Sequence, residues 1–330
     1  MATLYVTEQG AVVHKRGERL VITKDGKRLK EVPSIYLDKL VIVGNVSITT
    51  PAISFLLDEG IDTVYLSTRG RYKGRLQPEY SKNILLRQRQ FRKAEDPVFR
   101  LTFTRAIVAG KALNQRNRCL RILRNRTINS DSVRQELDVL RAHVNTATDI
   151  AILRALEGEI SRRYFSVIRG SLNEAFSFSA RRRRPPTDPV NVLLSFSYAL
   201  LKNAVFSSIS ATGLDPYQGF YHVCKYGRPA LVLDVMEEFR PIIADAVVLN
   251  VINNRVIEQS DFIQESDGMS LSDAGIEKVI IHFNKKLSSE FEHPYFRYQT
   301  DFRQCIDLQA RFLAKHILGY TDEYYPHISR

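Results

Sequence analysis

Three polar residues stand where their neighbours make them chemically conspicuous. Between residues 150 and 168, apolar side chains recur with helical spacing at Ile150, Leu153, Ile160, Tyr164 and Val167, and Glu157 falls on the same stripe. Burying an ionised carboxylate costs several kcal/mol unless a cation or hydrogen bonds compensate it. Glu157 therefore requires a partner, and an internal salt bridge to an arginine or a bound cation would each serve. His222 closes the Pro- and Gly-containing loop that runs from Leu214 through Pro216 and Gly219, among apolar and aromatic neighbours. A hydrogen-bonded core histidine and a ligand both fit that setting. In the stretch Leu231–Pro241 an apolar run meets Asp234, Glu237 and Glu238 before a helix predicted at 242–252. Capping by the helix dipole explains one such acid, but not three within five residues. Glu157, His222 and Glu237 together offer two hard oxygens and one imidazole, a set suited to Mn²⁺ or Mg²⁺ rather than to structural Zn²⁺. Their separations of 65 and 15 residues make no local metal motif.

These residues need a scaffold, and the sequence predicts one of α+β class: a small N-terminal β-rich domain followed by a larger all-α-helical C-terminal domain. Short β-branched runs at 4–6, 11–14, 20–23, 40–43, 46–49 and 63–67 read as strands. Lys24-Asp25-Gly26-Lys27 predicts a type I′ hairpin turn, and 52–59 a helix stopped by Gly60. The β-rich domain is expected over 1–80, with a boundary around Pro78 and a linker to about residue 90. The catalytic domain, expected over 91–330, should hold nine to eleven helices, one of them at 150–168 behind the capping candidates Thr148 and Asp149. Its main irregular segment is 177–189, with four consecutive arginines.

The chain has 330 residues, 44% of them hydrophobic, which excludes disorder and collagen-like repeats. Cys119, Cys224 and Cys305 lie far apart and build neither a disulfide framework nor a structural zinc cage; a reducing cytoplasm is expected. No basic-then-apolar leader and no continuous apolar run of about 20 residues is present, so neither secretion nor membrane insertion is expected. The net charge is +12, and residues 88–200 hold 21 Lys and Arg against 10 Asp and Glu. Such clustering favours a polyanion, in a cytoplasmic protein usually nucleic acid, although solvated basic helix faces give the same composition. Arg116, Arg118, Arg121, Arg124, Arg126, Arg162, Arg163 and the run Arg181, Arg182, Arg183 and Arg184 are the candidate nucleic-acid contacts, with Lys225 and Arg240 close in sequence to the acids and histidine. His14, His143, His282, His293, His316 and His327 form no constellation in the sequence.

Four strings occur in one order: Leu156-Glu157-Gly158-Glu159 with Tyr164-Phe165; Arg184-Pro185-Pro186-Thr187-Asp188-Pro189-Val190-Asn191; Leu214-Asp215-Pro216 through His222; and Leu233-Asp234-Val235-Met236-Glu237-Glu238-Phe239-Arg240-Pro241. Together they resemble the CRISPR-associated endonuclease and integrase of the spacer-acquisition complex, over nearly the whole chain. Ser197, where that family often has glycine, and Val235, where leucine is commoner, depart from the pattern without touching the candidate ligands. The resemblance implies that Glu157, His222 and Glu237 bind a catalytic Mg²⁺ or Mn²⁺, with Glu238 an outside candidate and Asp234 in a supporting role. It also implies spacer insertion by a DNA 3′-hydroxyl, action on double-stranded and branched DNA, a homodimer formed through the β domain, and a small CRISPR-associated partner protein. A nuclease acting on branched or single-stranded DNA in repair, or a non-catalytic DNA-binding scaffold, would use the same features differently.

Overall fold

A computed structural model of the chain describes residues 2–68, 72–76, 83–172, 175–176, 178–182, 185–266 and 268–329. The N-terminal part contains strands β1 (Ala2–Val6), β2 (Val12–Lys15), β3 (Arg19–Lys24), β4 (Lys27–Pro33), β5 (Leu37–Val43) and β6 (Ser47–Ile48), helix α1 (Thr50–Asp58), and strands β7 (Asp62–Leu66) and β8 (Tyr72–Leu76). They form two four-stranded sheets, ordered β1-β5-β7-β8 and β4-β3-β2-β6. The turn between β3 and β4 has positive φ at both Asp25 and Gly26, the geometry of the expected type I′ hairpin. Strand β4 was not expected. Its sequence KRLKEVP has no apolar alternation because it lies at a sheet edge with residues 27–30 exposed, where charge discourages pairing with another chain.

The sheet β1-β5-β7-β8 is covered on both faces, which explains its continuous apolar strands. Leu40 and Ile42 of β5 pack with Leu4, Val13, Leu20, Phe55 and Leu56 in a core shared with α1 and the other sheet. The alternate residues Val41 and Val43, with Val64 and Leu66 of β7, belong to the main core of the helical part. The boundary expected at Pro78 lies outside the described residues, and helix α2 already begins at Ile84, within the stretch expected as linker.

The helical part comprises α2 (Ile84–Glu95), α3 (Pro97–Asn125), α4 (Asp131–Thr146), α5 (Ile150–Ser171), α6 (Pro189–Thr212), α7 (Ala230–Phe239) and α8 (Asp245–Asn253). After it come strands β9 (Phe262–Gln264) and β10 (Met269–Leu271), helix α9 (Asp273–Leu287), strands β11 (Glu290–Glu292) and β12 (Gln299–Asp301), and helix α10 (Phe302–Leu318). The described residues thus hold nine α-helices after β8, joined by two short antiparallel hairpins that the sequence reading did not anticipate. Side-chain caps set the helix starts: Asp149 accepts the Ala151 N–H, Asp96 those of Val98 and Phe99, and Asp188 that of Asn191. Helix α6 is long and apolar enough to cross a membrane by length and composition alone, but 67% of its most apolar window is buried inside the fold, as in a core helix.

The acidic cluster is where local structure departs most from expectation. Its acids do not precede a new helix; they lie on α7, which continues through a π-helical turn, Arg240–Ala244, into α8. Pro241 has no N–H to donate and would crowd the preceding turn of an α-helix. The wider π-turn accommodates it, with the Asp245 N–H bonded to the Arg240 carbonyl five residues back. Dipole capping therefore cannot explain these acids, and each must find its own partners.

Candidate metal centre

Helix α3 packs between α5 and α7 and brings a cation to both glutamates. The Lys111 ammonium donates to Glu157 Oε1 and lies 2.6 Å from Glu237 Oε2. One nitrogen bridging both oxygens keeps them within about 6 Å of each other, two hydrogen-bond lengths. The side chains of Lys111 and Glu237 are 10% and 7% exposed and that of Glu157 22%, so the pair opens to solvent on the α5 side. Ser161, one turn along α5, donates to Glu157 Oε1 at 2.9 Å.

His222 reaches this site because Asp234 holds its loop. Fully buried, Asp234 accepts the backbone N–H groups of Phe220 at 2.7 Å, Tyr221 at 3.0 Å and His222 at 2.8 Å, and faces His222 Nδ1 at 2.7 Å. A Cβ on Gly219 would stand 2.7 Å from Asp234 Oδ2 and 2.8 Å from the Ala230 carbonyl carbon, so glycine is what lets loop and helix close. With its Nδ1–H donating to the Asp234 carboxylate, His222 turns Nε2 toward the site, 3.7 Å from Glu237 Oε1. Asp234→Ala is expected to cost about 3 kcal/mol or more, because three buried N–H groups lose their acceptor. It should also loosen metal binding by freeing the imidazole. Chemical denaturation and a Mn²⁺ titration check both effects, and unchanged metal affinity would remove Asp234 as the orienting group.

Burial pushes the Glu237 carboxyl up, but Arg240, Lys111 and His222 outweigh it and hold the group at about 2, down from 4.5. A carboxyl lowered by folding stabilises the fold above its unfolded value and loses that contribution as pH falls through the folded one. In chelator, that contribution should be complete above pH 4.5 and vanish toward pH 2, and an acid titration of Glu237→Gln should lack this part of the pH dependence. Lys111 stays charged: burial pulls it down, but Glu237 and Glu157 raise it above its usual value.

The donor set fits a divalent cation on two grounds. Two carboxylates and a lone-pair nitrogen suit a hard or borderline metal, and the Lys111 ammonium already occupies the space between the carboxylates as a positive charge. Glu157 and Lys111 of this group line one side of a cleft of about 640 Å³ whose wall also carries Arg162, Arg163, Arg169, Arg181 and Arg240. The Arg240 guanidinium packs 4.8 Å above the Tyr198 ring, with its Nε 3.2 Å from Glu237 Oε1. The Tyr198 hydroxyl donates at 2.7 Å to buried Asp245, which fixes that ring.

A family model described as CRISPR associated protein Cas1 matches residues 4–285. The chain belongs to the Cas1 family. It is 35% identical over 340 residues to a CRISPR-associated exonuclease Cas4/endonuclease Cas1 fusion of Geobacter sulfurreducens, covering 99% of this chain and 60% of the fusion. It is also 35% identical to a CRISPR-associated endonuclease Cas1 of Thermus thermophilus, covering 99% of this chain and 97% of that protein. The chain thus spans less than two thirds of the fusion relative and nearly all of the stand-alone one. Among solved structures, a Cas1 protein from Thermotoga maritima superposes with a TM-score of 0.82 at 25% identity over 100% of both chains. A chain of a Cas6-RT-Cas1–Cas2 complex matches with a TM-score of 0.82 at 25% identity over 99% of this chain and 36% of its own length.

In this member of the Cas1 family the candidate residues separate clearly. Glu157 and Glu237 meet at Lys111, and His222 lies against Glu237. Glu238 does not join them; its carboxylate turns to Tyr324, Gln309 and the His327 N–H. Arg162, Arg163, Arg181 and Arg240 line the cleft. Arg181 is bound to Asn191 Oδ1 at 2.8 Å and Ser195 Oγ at 3.0 Å, and the Arg182 N–H also goes to Asn191 Oδ1 at 2.8 Å, so this pair anchors the start of α6. Arg183 and Arg184 lie outside the described residues. Lys225 is exposed on the loop beyond His222 and does not line the cleft. Arg116 makes a two-bond pair with Asp138, and Arg126 caps α5 through the Gly170 and Ser171 carbonyls, so both serve the fold. Lys111 and Arg169 were missed by the sequence reading. Lys111 falls within the buried run of α3 among Val108, Ala112 and Gln115, the same signal that singled out Glu157.

Proposed function

We propose that the chain is a divalent-metal-dependent DNA endonuclease and integrase that inserts new spacers into a CRISPR array, with Glu157, His222 and Glu237 holding Mg²⁺ or Mn²⁺. The meeting of Glu157 and Glu237 at Lys111, with His222 Nε2 3.7 Å from Glu237 and Glu157 opening on an arginine-lined cleft, is the observation that carries this reading. A bound divalent ion would supply charge for the non-bridging phosphate oxygens and align the attacking oxygen. In joining, a DNA 3′-hydroxyl attacks a target phosphorus; one P–O bond forms, another breaks, and the leaving strand keeps a new 3′-hydroxyl. In cleavage, water attacks instead. Arg240 and Arg181, each held over the Tyr198 ring by partners of its own, would contribute positive charge to the cleft, while Asp234 keeps His222 directed at the site.

Incubation with a supercoiled repeat-containing plasmid and a short duplex bearing free 3′ ends, in Mn²⁺, tests the proposal. Joined products support it, cut but unjoined plasmid indicates a repair-type nuclease, and inert DNA indicates a scaffold. The relatives named as endonucleases support the nuclease reading, and the solved Cas6-RT-Cas1–Cas2 complex supports a CRISPR-associated partner protein; the proposal also takes in what the family resemblance implies, a homodimer acting on double-stranded and branched DNA.

Arg162 and Arg163 pair with Glu159 and Glu136 at the cleft rim, where their side chains are 66% and 46% exposed. Exposed pairs contribute little to stability, so these arginines can exchange a carboxylate for a phosphate at small cost. Replacing both with glutamine should lower the slope of log affinity against log salt by about 2 with little change in melting temperature. An unchanged slope would assign both residues to the surface alone.

A further inference from the structure

Glu238 leads from the cleft to a second cluster. The segment after α10 folds back over α3 and α7: Asn114 donates to the His327 carbonyl at 2.8 Å and accepts the Ser329 N–H at 2.9 Å, while Glu238 accepts the His327 N–H. This places His327 beside His293, in the turn between β11 and β12, and Cys305, in the first turns of α10. Among the described residues these are the one group of three histidine, cysteine or acidic side chains whose ligand atoms all lie within 4.8 Å of one another. They are 1%, 0% and 2% exposed for His293, Cys305 and His327. Neither ring nitrogen of His327 has a hydrogen-bond partner, nor has Nε2 of His293. Buried polar atoms are nearly always satisfied, so three orphaned nitrogens around one thiol call for a bound species.

We propose that His293, Cys305 and His327 bind a Zn²⁺, its fourth position left to water, that fastens the segment after α10 and the β11–β12 turn to helix α10. Two imidazoles and a thiolate are the borderline-soft donors that zinc selects over the harder ions suited to the Glu157 site. A single water would engage the thiol only through a weak hydrogen bond, whereas zinc takes it as a full thiolate ligand. Binding carries a cost. His293 Nδ1 accepts the backbone N–H groups of Tyr295 and Phe296 at 3.3 and 3.2 Å, so the ring proton of the free protein sits on Nε2. Coordination through Nε2 moves that proton to Nδ1 and gives up these two bonds, both at the long end of the usual range. It also releases the Cys305 thiol proton to solvent. The site would fix the strap that covers the back of α7, and it does not rest on the proposed DNA chemistry.

Cobalt(II) provides a probe that reads this site apart from the other. Full-length protein stripped with chelator and titrated with Co²⁺ should develop a thiolate-to-cobalt absorption band, saturate near one equivalent, and lose the band when zinc is added. The Glu157 site contains no thiolate and cannot produce that band. Cys305→Ser and His327→Phe should each abolish it, and Cys224→Ser, at an exposed cysteine, should preserve it. Phenylalanine suits position 327 because Phe239, Phe291 and Phe302 surround that ring. Zinc should raise the melting temperature of the wild type more than that of His327→Phe, which keeps only the Glu157 site. The absence of a band in the wild type, or a band that survives Cys305→Ser, overturns the proposal. The wild-type titration decides even where a variant fails to fold.

Discussion

Alanine in place of Glu157 should reduce both DNA cleavage and joining by at least about three orders of magnitude, because metal-borne charge stabilisation is worth several kcal/mol and each 1.4 kcal/mol is tenfold in rate. Glu237→Ala should do the same. Duplex binding should fall far less, since the cleft arginines remain. The contrast between lost chemistry and retained affinity is the signature of a metal site rather than of a damaged fold. The two variants should still differ in one respect. Lys111 keeps one glutamate in either variant, but removing Glu237 also leaves Arg240 without its carboxylate, whereas removing Glu157 does not. Glu237→Ala should therefore be the less stable of the two. Gel-based joining assays, electrophoretic mobility shifts and thermal melts on the same preparations separate these effects. A variant that joins DNA at the wild-type rate would exclude its residue from the mechanism.

Lys111→Met is the second large effect, and its sign depends on the metal. In chelator the substitution leaves two carboxylates facing each other with their shared cation gone, and breaking a buried ion pair costs about 3–5 kcal/mol. The variant should therefore be much less stable than the wild type at neutral pH. Acidification should recover part of the loss, because protonation removes the repulsion. A divalent cation should recover more, since it replaces the missing charge, and the variant should bind Mn²⁺ more tightly than a wild type in which the ion competes with an ammonium. Denaturation with and without Mn²⁺ measures this. Equal destabilisation under both conditions would show that Lys111 serves packing alone and that no cation shares its place.

Much of the centre was legible because burial turns residue type into a constraint. Glu157 stood out on an apolar helical stripe, and helix α5 follows that stripe behind the Asp149 cap. His222 drew attention by its setting in a loop of Pro and Gly. The acids at 234, 237 and 238 were conspicuous by number, but their division of labour was not: on one helix they fan toward the His222 loop, the cleft and the strap after α10. Lys111 carried the same signal as Glu157 and was passed over, because a lysine in a basic chain looks like solvated charge until a partner is known. The arginines show the reverse error. Clustering in sequence suggested a common role, yet Arg116 and Arg126 are bound to partners of their own.

The amino-acid sequence by itself determined six of the N-terminal strands, helices α1 and α5, the Asp149 cap and the type I′ turn, since these depend on residues within a turn or two of each other. It also determined which donors could make a metal site, because hardness, charge and proton affinity belong to the side chain. The tertiary structure alone decided that β5 lies parallel between β1 and β7, that Lys111 bridges two glutamates, and that His293, Cys305 and His327 meet. Those relations join residues tens or hundreds of positions apart, and only the packing of one element against another brings them within bonding distance.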